Sequence, residues 1–463
     1  MQLTTLTIAD GVRIVVPDLA DSMTTYVLKE QRDWFEDEIK FLRRAIQPGQ
    51  RVIDIGANHG VYALSLAVRV GPSGRVWAFE PASLPADCLQ ASIRANGLEN
   101  LVFERCALSN CTGFAELTLD KRSSELGSIS RSGDVTMVRE TVSQTTLDAC
   151  QAMFSGGEID FVKIDVEGAE KQVIEGGHRF FDERSPLVML ELMDGQQQRD
   201  YSAVDRLCRQ GYGLYRLVPG LGLLVSVGRH DALDDHLINI FCCKPDRADY
   251  LAALGLLLRP DTVNDTPDER EGMIASWRET VGRMPYGLAL TAQWSTVSGV
   301  ACCAVDRPLA LYAQSQSDVL SPLQRYRALK ASYDVFQRMG TASTTAAGLS
   351  SLVRAARDFG ARTVAVKALE QLVSEIQREF SVDLSEPFLA PEARFDQIVP
   401  GEEIEGWFLA AVLEAYERLV SFSSYFNGDD CLRRLEIIRH LGMGSEEMHR
   451  RWQLKTGAGA SIQ

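Results

Sequence analysis

Apolar positions along the chain change their spacing three times, and each change marks a different kind of structure. In "LTTLTIADGVRIVVPD" two β-rich runs flank Asp10-Gly11, which predicts a hairpin. In "DWFEDEIKFLRRAI" the apolar residues Trp34, Phe35, Ile39, Leu42 and Ile46 share one face at helical spacing, and "QPGQ" ends the helix. From Arg51 strand-like and helix-like runs alternate. The strand-like runs are "RVIDIG", "RVWAFEP", "LVFERCAL", "FVKIDVEG", "PLVMLELM", "YGLYRLV" and "LINIFCC". Helix-like runs at Tyr62–Val70, Pro85–Asn96, Ala169–Phe181 and Ala203–Gln210 lie between most of them. Several strands are continuously apolar, as expected where helices cover both faces of a sheet. The pattern predicts a doubly wound α/β domain. Residues from Gly113 to Cys150 break the rhythm with one strand, "GFAELTLD", and a polar, Ser-rich stretch, "KRSSELGSISRSGD". Such a loop is commonly a lid, a substrate loop or disordered chain.

After "CCKPDRADY" the strand signals fade. "SPLQRYRALKASYDVFQRMG" opens with a Ser N-cap and Pro at the first helical position, and closes in Gly; "SSLVRAARDFG" and "LRRLEIIRHLG" close the same way. These are the marks of an all-α domain, a bundle or a tetratricopeptide-like arrangement, although a single repeat-like pair does not make an array. The expected organisation is a lead-in at 1–50, the α/β domain at 51–245 and the helical domain at 246–463.

Composition narrows the function. The 463 residues are 45% hydrophobic and 24% charged, as in folded globular chains. A net charge of -15 argues against general nucleic-acid binding, which relies on Lys and Arg at phosphates. The longest apolar run, Leu251 to Leu258, is too short to span a bilayer. "MQLTTLTIADG" lacks the charged start and apolar core of a secretion signal. The ten cysteines contain no Cys-x-x-Cys pair, so reduced thiols in the cytoplasm are expected.

Candidate chemistry gathers at the strand ends. In an open parallel sheet, ligands bind beyond the carboxyl ends of the strands near the switch point. "DIGANHG" ends the first strand, with Gly56 and Gly60 free to turn the backbone toward a ligand. The middle glycine of the dinucleotide fingerprint is missing, which counts against an NAD(P)-dependent oxidoreductase. Glu80 ends the second strand, where an acid can accept both hydroxyls of a ribose. "ALSN", with Ala107 and Leu108, is expected to end the third strand beside an adenine, and "KIDVEGAE" ends the fourth. Several acids facing one pocket suit a cationic ligand better than a pyrophosphate. S-adenosylmethionine, with its sulfonium and ammonium, matches that chemistry.

The segments "FEDEIKFLRRAIQPGQRVIDIGANHGVYAL", "VWAFEP", "TTLD" and "VKIDVEGAEKQVIEGG" resemble the FkbM family of S-adenosylmethionine-dependent methyltransferases over about Trp34 to Lys244. The resemblance implies a seven-strand Rossmann-like methyltransferase sheet whose last strand, "HLINIFCCKP", is antiparallel. It implies methylation of a hydroxyl oxygen, often on a sugar or natural-product scaffold. Carried over, Asp54, Gly56, Asn58 and Gly60 match the cofactor loop, Glu80 the ribose acid, and Asp165, Glu167 and Gly168 the acid-rich strand end.

An aliphatic hydroxyl needs a base within hydrogen-bond reach. The candidates are Asp165, Glu167 and Glu191, with Asp165 also counted as a cofactor contact. Each has a plainer reading. Asp165 could simply pair with Lys163, which lies inside an apolar strand and is expected to find an acid. Glu167 could cap the helix that follows. His178 reads as a charge at a helix C-terminus. His230 and His236 lack zinc spacing, two carboxylates on adjacent strands do not specify a metal, and no metal is assigned. Trp277, Trp294 and Trp407 read as helical-domain core, and Arg433, Arg434, Arg439 and His440 as a solvated face. The expected partners are a small-molecule or glycan hydroxyl acceptor and, through the helical domain, a second copy of the chain. That domain could instead shape acceptor access. The alternative from outside enzymology is a non-catalytic methyltransferase-like fold acting through that domain, against which the intact Asp54, Glu80 and Asp165 count.

Overall fold

The computed structural model describes residues 2–19, 21–120, 137–192, 200–229, 231–259, 276–296, 300–342, 345–379, 382–428 and 430–457. The Ser-rich stretch at 121–134 and His230 lie outside them. By its internal contacts the chain forms two units. One holds Met1–Leu217, Leu224–Asp231 and Leu237–Leu257; the other holds Val218–Leu223, Ala232–His236 and Leu258–Gln463.

The first unit opens on the expected hairpin, β1 (Leu3–Thr7) against β2 (Arg13–Pro17), in register from Leu3↔Pro17 to Thr7↔Arg13. Asp10 and Gly11 turn it with φ of 62° and 73°. A helix that the apolar pattern did not announce follows, α1 (Met23–Gln31); its Thr-rich sequence hides a face of Met23, Tyr26, Val27 and Leu28. The lead-in helix α2 (Asp37–Ala45) starts later than the spacing suggests. Asp33 is occupied elsewhere, accepting from the amide of Trp34 and from Arg43, so Trp34 and Phe35 remain in the approach loop.

The alternating region then runs β3 (Arg51–Ile55), α3 (Val61–Val70), β4 (Arg75–Phe79), α4 (Ser83–Asn96) and β5 (Leu101–Glu104). It goes on through β6 (Ala107–Leu108), β7 (Gly113–Asp120), β8 (Met137–Thr145), β9 (Phe161–Ile164), α5 (Glu170–Gly176), α6 (His178–Glu183) and β10 (Leu187–Glu191). It closes with α7 (Ser202–Arg209), β11 (Gly213–Val218), β12 (Leu223–Ser226), β13 (Asn239–Cys243), α8 (Pro245–Ala253) and β14 (Leu257–Leu258). The main sheet has the order β14-β12-β11-β13-β10-β9-β3-β4-β5. Strands β5, β4, β3, β9 and β10 are parallel, while β13 is antiparallel to both β10 and β11. The seven expected strands are therefore there, with "NIFCC" as the reversed one, and β12 and β14 extend them to nine. The chain winds outward from β3 through β4 to β5, then resumes on the other side at β9. The switch point lies between β3 and β9, whose inner residues Val52, Ile53, Phe161 and Val162 are fully buried.

Three local expectations are corrected. "LVFERCAL" is not one strand: β5 stops at Glu104, and Ala107–Leu108 pair instead with Gln144–Thr145 of β8. The interrupting segment holds two strands, β7 and β8, which with β6 make a separate three-stranded sheet. The helix expected over 169–181 is two helices meeting at Gly177, so His178 starts a helix rather than ending one. No alternation marks these breaks.

In the second unit the described residues from 276 onward contain helices and no strand. Consecutive helices pack in chain order: Val300–Ser315 on Pro322–Ala342, that on Ala346–Phe359, and that on Arg362–Glu379. Ile404–Leu419, Asp430–His440 and Glu446–Thr456 follow. Trp277, Trp294 and Trp407 are core, as expected, and the indole N–H groups of Trp294 and Trp407 donate to the carbonyls of Leu384 (3.0 Å) and Ile398 (2.9 Å). Among the described residues no helix is long and apolar enough to cross a membrane.

Candidate active site

The loop after β3 is built by its own protein contacts. The amides of Gly56 and Ala57 both donate to the carbonyl of Phe79 on β4, and Asp165 N donates to Ile55 O. These bonds bring the ends of β3, β4 and β9 together at the switch point. Gly56 has φ of 79°, and a Cβ there would lie 1.8 Å from the carbonyl oxygen of Asp165. Gly60 has φ of 88°, and its Cβ would meet Leu89 at 2.4 Å. Close packing on the backbone across the switch point thus demands glycine at 56, while at 60 the positive φ favours it and the neighbour is the end of a flexible side chain. Between them Asn58 takes a left-handed φ of 48°.

Glu80 sits just past β4 and is buried. Its carboxylate accepts the amide of Asn58 at 2.9 Å and that of Ala82 at 2.7 Å, tying the β3 loop to the start of α4. Burial pushes its pKa up to about 7 against these two amides, which favour the charged form. Asn58 Oδ1 beside it is buried without a hydrogen-bond partner among the described residues. A buried acceptor left open next to an acid is a place for a ligand's donor groups.

The strand-end acids separate into distinct roles. Lys163, buried in β9, donates to Asp165 Oδ2 at 2.7 Å and lies 4.0 Å from Asp54 Oδ1, so the expected acid partner is found. Burial acts against the ammonium, but the two carboxylates outweigh it and hold Lys163 above its ordinary range. Burial likewise acts against charge on Asp165, yet the Lys163 charge and bonds from Glu191 and Lys163 take it below the usual carboxylate range. Glu191, at the end of β10, goes the other way. Burial first, then the Asp165 charge and their shared hydrogen bond, push it up to about 12, so it holds its proton at neutral pH. Asp54 is driven by burial to about 6, with Lys163 restraining the rise.

Glu167 is exposed, in a turn beyond β9, with φ of 54°. It does not cap the helix. That helix has no side-chain cap; Glu170, its first residue, instead reaches back to brace the turn before it, its Oε1 accepting the amides of Val166 (3.0 Å) and Gly168 (3.2 Å). Carboxylate oxygens of Asp165, Glu167 and Glu191 nonetheless lie within 4.8 Å of one another, so the three candidate bases face one spot. Ala107 and Leu108 lie apart from the end of β5, in the small sheet, and Leu108 is buried.

Three residues at this mouth escaped the sequence reading. Glu36, in the approach to α2, accepts from Tyr62 Oη of α3 at 2.5 Å and from Asn239 Nδ2 of β13 at 3.1 Å. Lys163 Nζ lies 5.1 Å from the centre of the Tyr62 ring. No local spacing could show this, because Glu36 and Asn239 are 203 residues apart.

A glycine loop after the first strand, an acid after the second and an acid-rich turn after the fourth, on a sheet in which the reversed strand β13 adjoins the parallel ones, define an α/β group-transfer domain. Residues 54–214 match the family model described as the methyltransferase FkbM domain, so the chain carries a methyltransferase domain of that family. Among solved structures it is similar to methyltransferase FkbM from Methylobacillus flagellatus (15% identity, 42% of this chain and 43% of that one, TM-score 0.29). It is also similar to a SAM-dependent O-methyltransferase from Thermotoga maritima (15%, 52% and 77%, TM-score 0.27) and a SAM-dependent methyltransferase from Aquifex aeolicus (13%, 47% and 90%, TM-score 0.26). The match spans less than half the length of the first of these. No curated protein matches.

Proposed function

We propose that the chain is an S-adenosylmethionine-dependent O-methyltransferase acting on a hydroxyl of a sugar or natural-product scaffold. The observation that carries the reading is the pair Asp165 and Glu191 at the carboxyl end of the sheet: one acid held ionised by Lys163, the other holding a proton against it. In this reading Asp54, Asn58 and Glu80 bind the donor. Glu80 takes its ribose hydroxyls, and Asn58 Oδ1 and Asp54 face its polar and cationic end. The donor supplies an electrophilic methyl group on a sulfonium.

The residues of the chain do the rest. Asp165 receives the acceptor hydroxyl's proton as the oxygen bonds to the methyl carbon and the carbon–sulfur pair leaves with sulfur. Glu191 steadies Asp165 through their hydrogen bond and, being protonated, does not repel it. Holding oxygen, carbon and sulfur in line can supply about 7–11 kcal/mol of the barrier. The helical unit is read as a surface joining copies of the chain. Eight of the ten cysteines, buried Cys88, Cys150, Cys242, Cys243 and Cys431 among them, are free thiols, which suits a reducing compartment.

The test is incubation with methyl-labelled donor and a panel of hydroxylated acceptors, comparing wild type with Asp165→Asn. Label in an alkali-stable ether, lost by about 100-fold or more in the variant, is expected for a general base. Label entering only amines or carboxylates, or an undiminished rate in Asp165→Asn, contradicts the assignment.

A further inference from the structure

Lys163 is an ammonium built into the floor of the site. It is 4% exposed, on β9 at the switch point, and the groups around it come from several elements. Asp165, just past the end of β9, is 2.7 Å away. Asp54, from β3, is 1% exposed and 4.0 Å away. The Tyr62 ring, from α3, covers it at 5.1 Å, and Tyr62 in turn is held by Glu36, which Asn239 of β13 also binds. Glu191 of β10 reaches it through Asp165, and the Asp54 charge acts in turn on Glu80, past β4. Two acids and one aromatic face surround a single cation.

We propose that Lys163 is a positioning residue for donor binding: its fixed ammonium keeps the buried Asp54 carboxylate charged for the cationic end of the donor while aiming Asp165 at the acceptor. This rests on the donor reading given above. A buried acid alone would sooner take up a proton than stay ionised, and a charge of opposite sign at 4 to 6 Å is what prevents it. Asp54 already stands at about 6 with Lys163 in place. Without the ammonium the buried acid takes up a proton more readily, and its share in attracting the donor's cationic end is lost at a higher pH. A lysine that merely filled space in β9 would be replaceable by an apolar side chain of equal length, with no effect on how binding responds to pH.

The test is calorimetric titration of the full chain with S-adenosylmethionine across pH 5 to 9, for wild type, Lys163→Met and Lys163→Arg. In the wild type, affinity is expected to hold above neutrality and to fall as pH drops from about 7 to about 6, where Glu80 and Asp54 take up protons. In Lys163→Met the midpoint of that fall is expected to move up by about one pH unit or more, and in Lys163→Arg to stay with the wild type. A folded Lys163→Met with an unmoved midpoint overturns the proposal. If Lys163→Met does not fold, Asp54→Asn decides: it should lose the lower part of the fall, near pH 6, and a fall that persists unchanged there overturns the proposal. Absence of binding by the wild type at every pH would instead overturn the donor reading itself.

Discussion

At the residue scale, the site depends on a few atoms that must be where they are. Glu80 holds two backbone amides, and the proposed donor site assigns its remaining lone pairs to the ribose. Glu80→Ala is expected to weaken S-adenosylmethionine binding by about 1–3 kcal/mol, measured by calorimetry, since charge-assisted hydrogen bonds of this kind are worth that much. Unchanged affinity would remove Glu80 from the donor site. Gly56→Ala puts a Cβ 1.8 Å from a carbonyl oxygen. That backbone cannot yield as a flexible side chain would, so a loss of about 1–3 kcal/mol in stability by denaturant titration is expected. A neutral effect would mean that the loop is not packed as described. Asp54, Gly56, Gly60, Glu80 and Asp165 could be picked out of the sequence because they lie at strand ends or in the loop after one, at motif spacing. The reason for the glycines could not, since it depends on what lies across the switch point. Glu36, Tyr62 and Asn239 were hidden because their contacts are long-range.

At the element scale, strands announced themselves better than their breaks. Runs such as "RVIDI" and "FVKI" are apolar throughout because helices cover both sheet faces, and that pattern is local. The break between β5 and β6 is set by pairing with β8, some 37 residues later, which no window on the sequence contains. Helix starts were similarly displaced where a side chain such as Asp33 engaged the chain before it. In the helical unit the elements are held by buried ion pairs as well as aromatic packing. Arg354 is 6% exposed and donates to Asp396 Oδ2 at 2.8 Å and to the carbonyl of Ala390 at 3.0 Å. Removing one partner of such a pair strands the other charge. Arg354→Met is therefore expected to destabilise the unit by about 3–5 kcal/mol, seen as an earlier thermal transition. An unchanged melting curve would show that the pair contributes nothing.

At the scale of the whole molecule, one half of the chain carries chemistry that can be argued residue by residue, and the other is a helical unit whose sequence has Gly stops and apolar faces but no site motif. The methyltransferase domain was legible early because its acids recur in order at strand ends. The charge balance among them was not, because it depends on burial: two acids near one lysine titrate differently from isolated ones. That balance underlies the proposed donor role, in which Asp54, Glu80 and Asp165 answer a cationic ligand. The most direct measurement is calorimetric titration of the purified protein with S-adenosylmethionine, with NAD as the control. Micromolar binding of the first, about 8 kcal/mol, and none of the second is expected. Binding of NAD in its place, or of neither, would contradict the donor role.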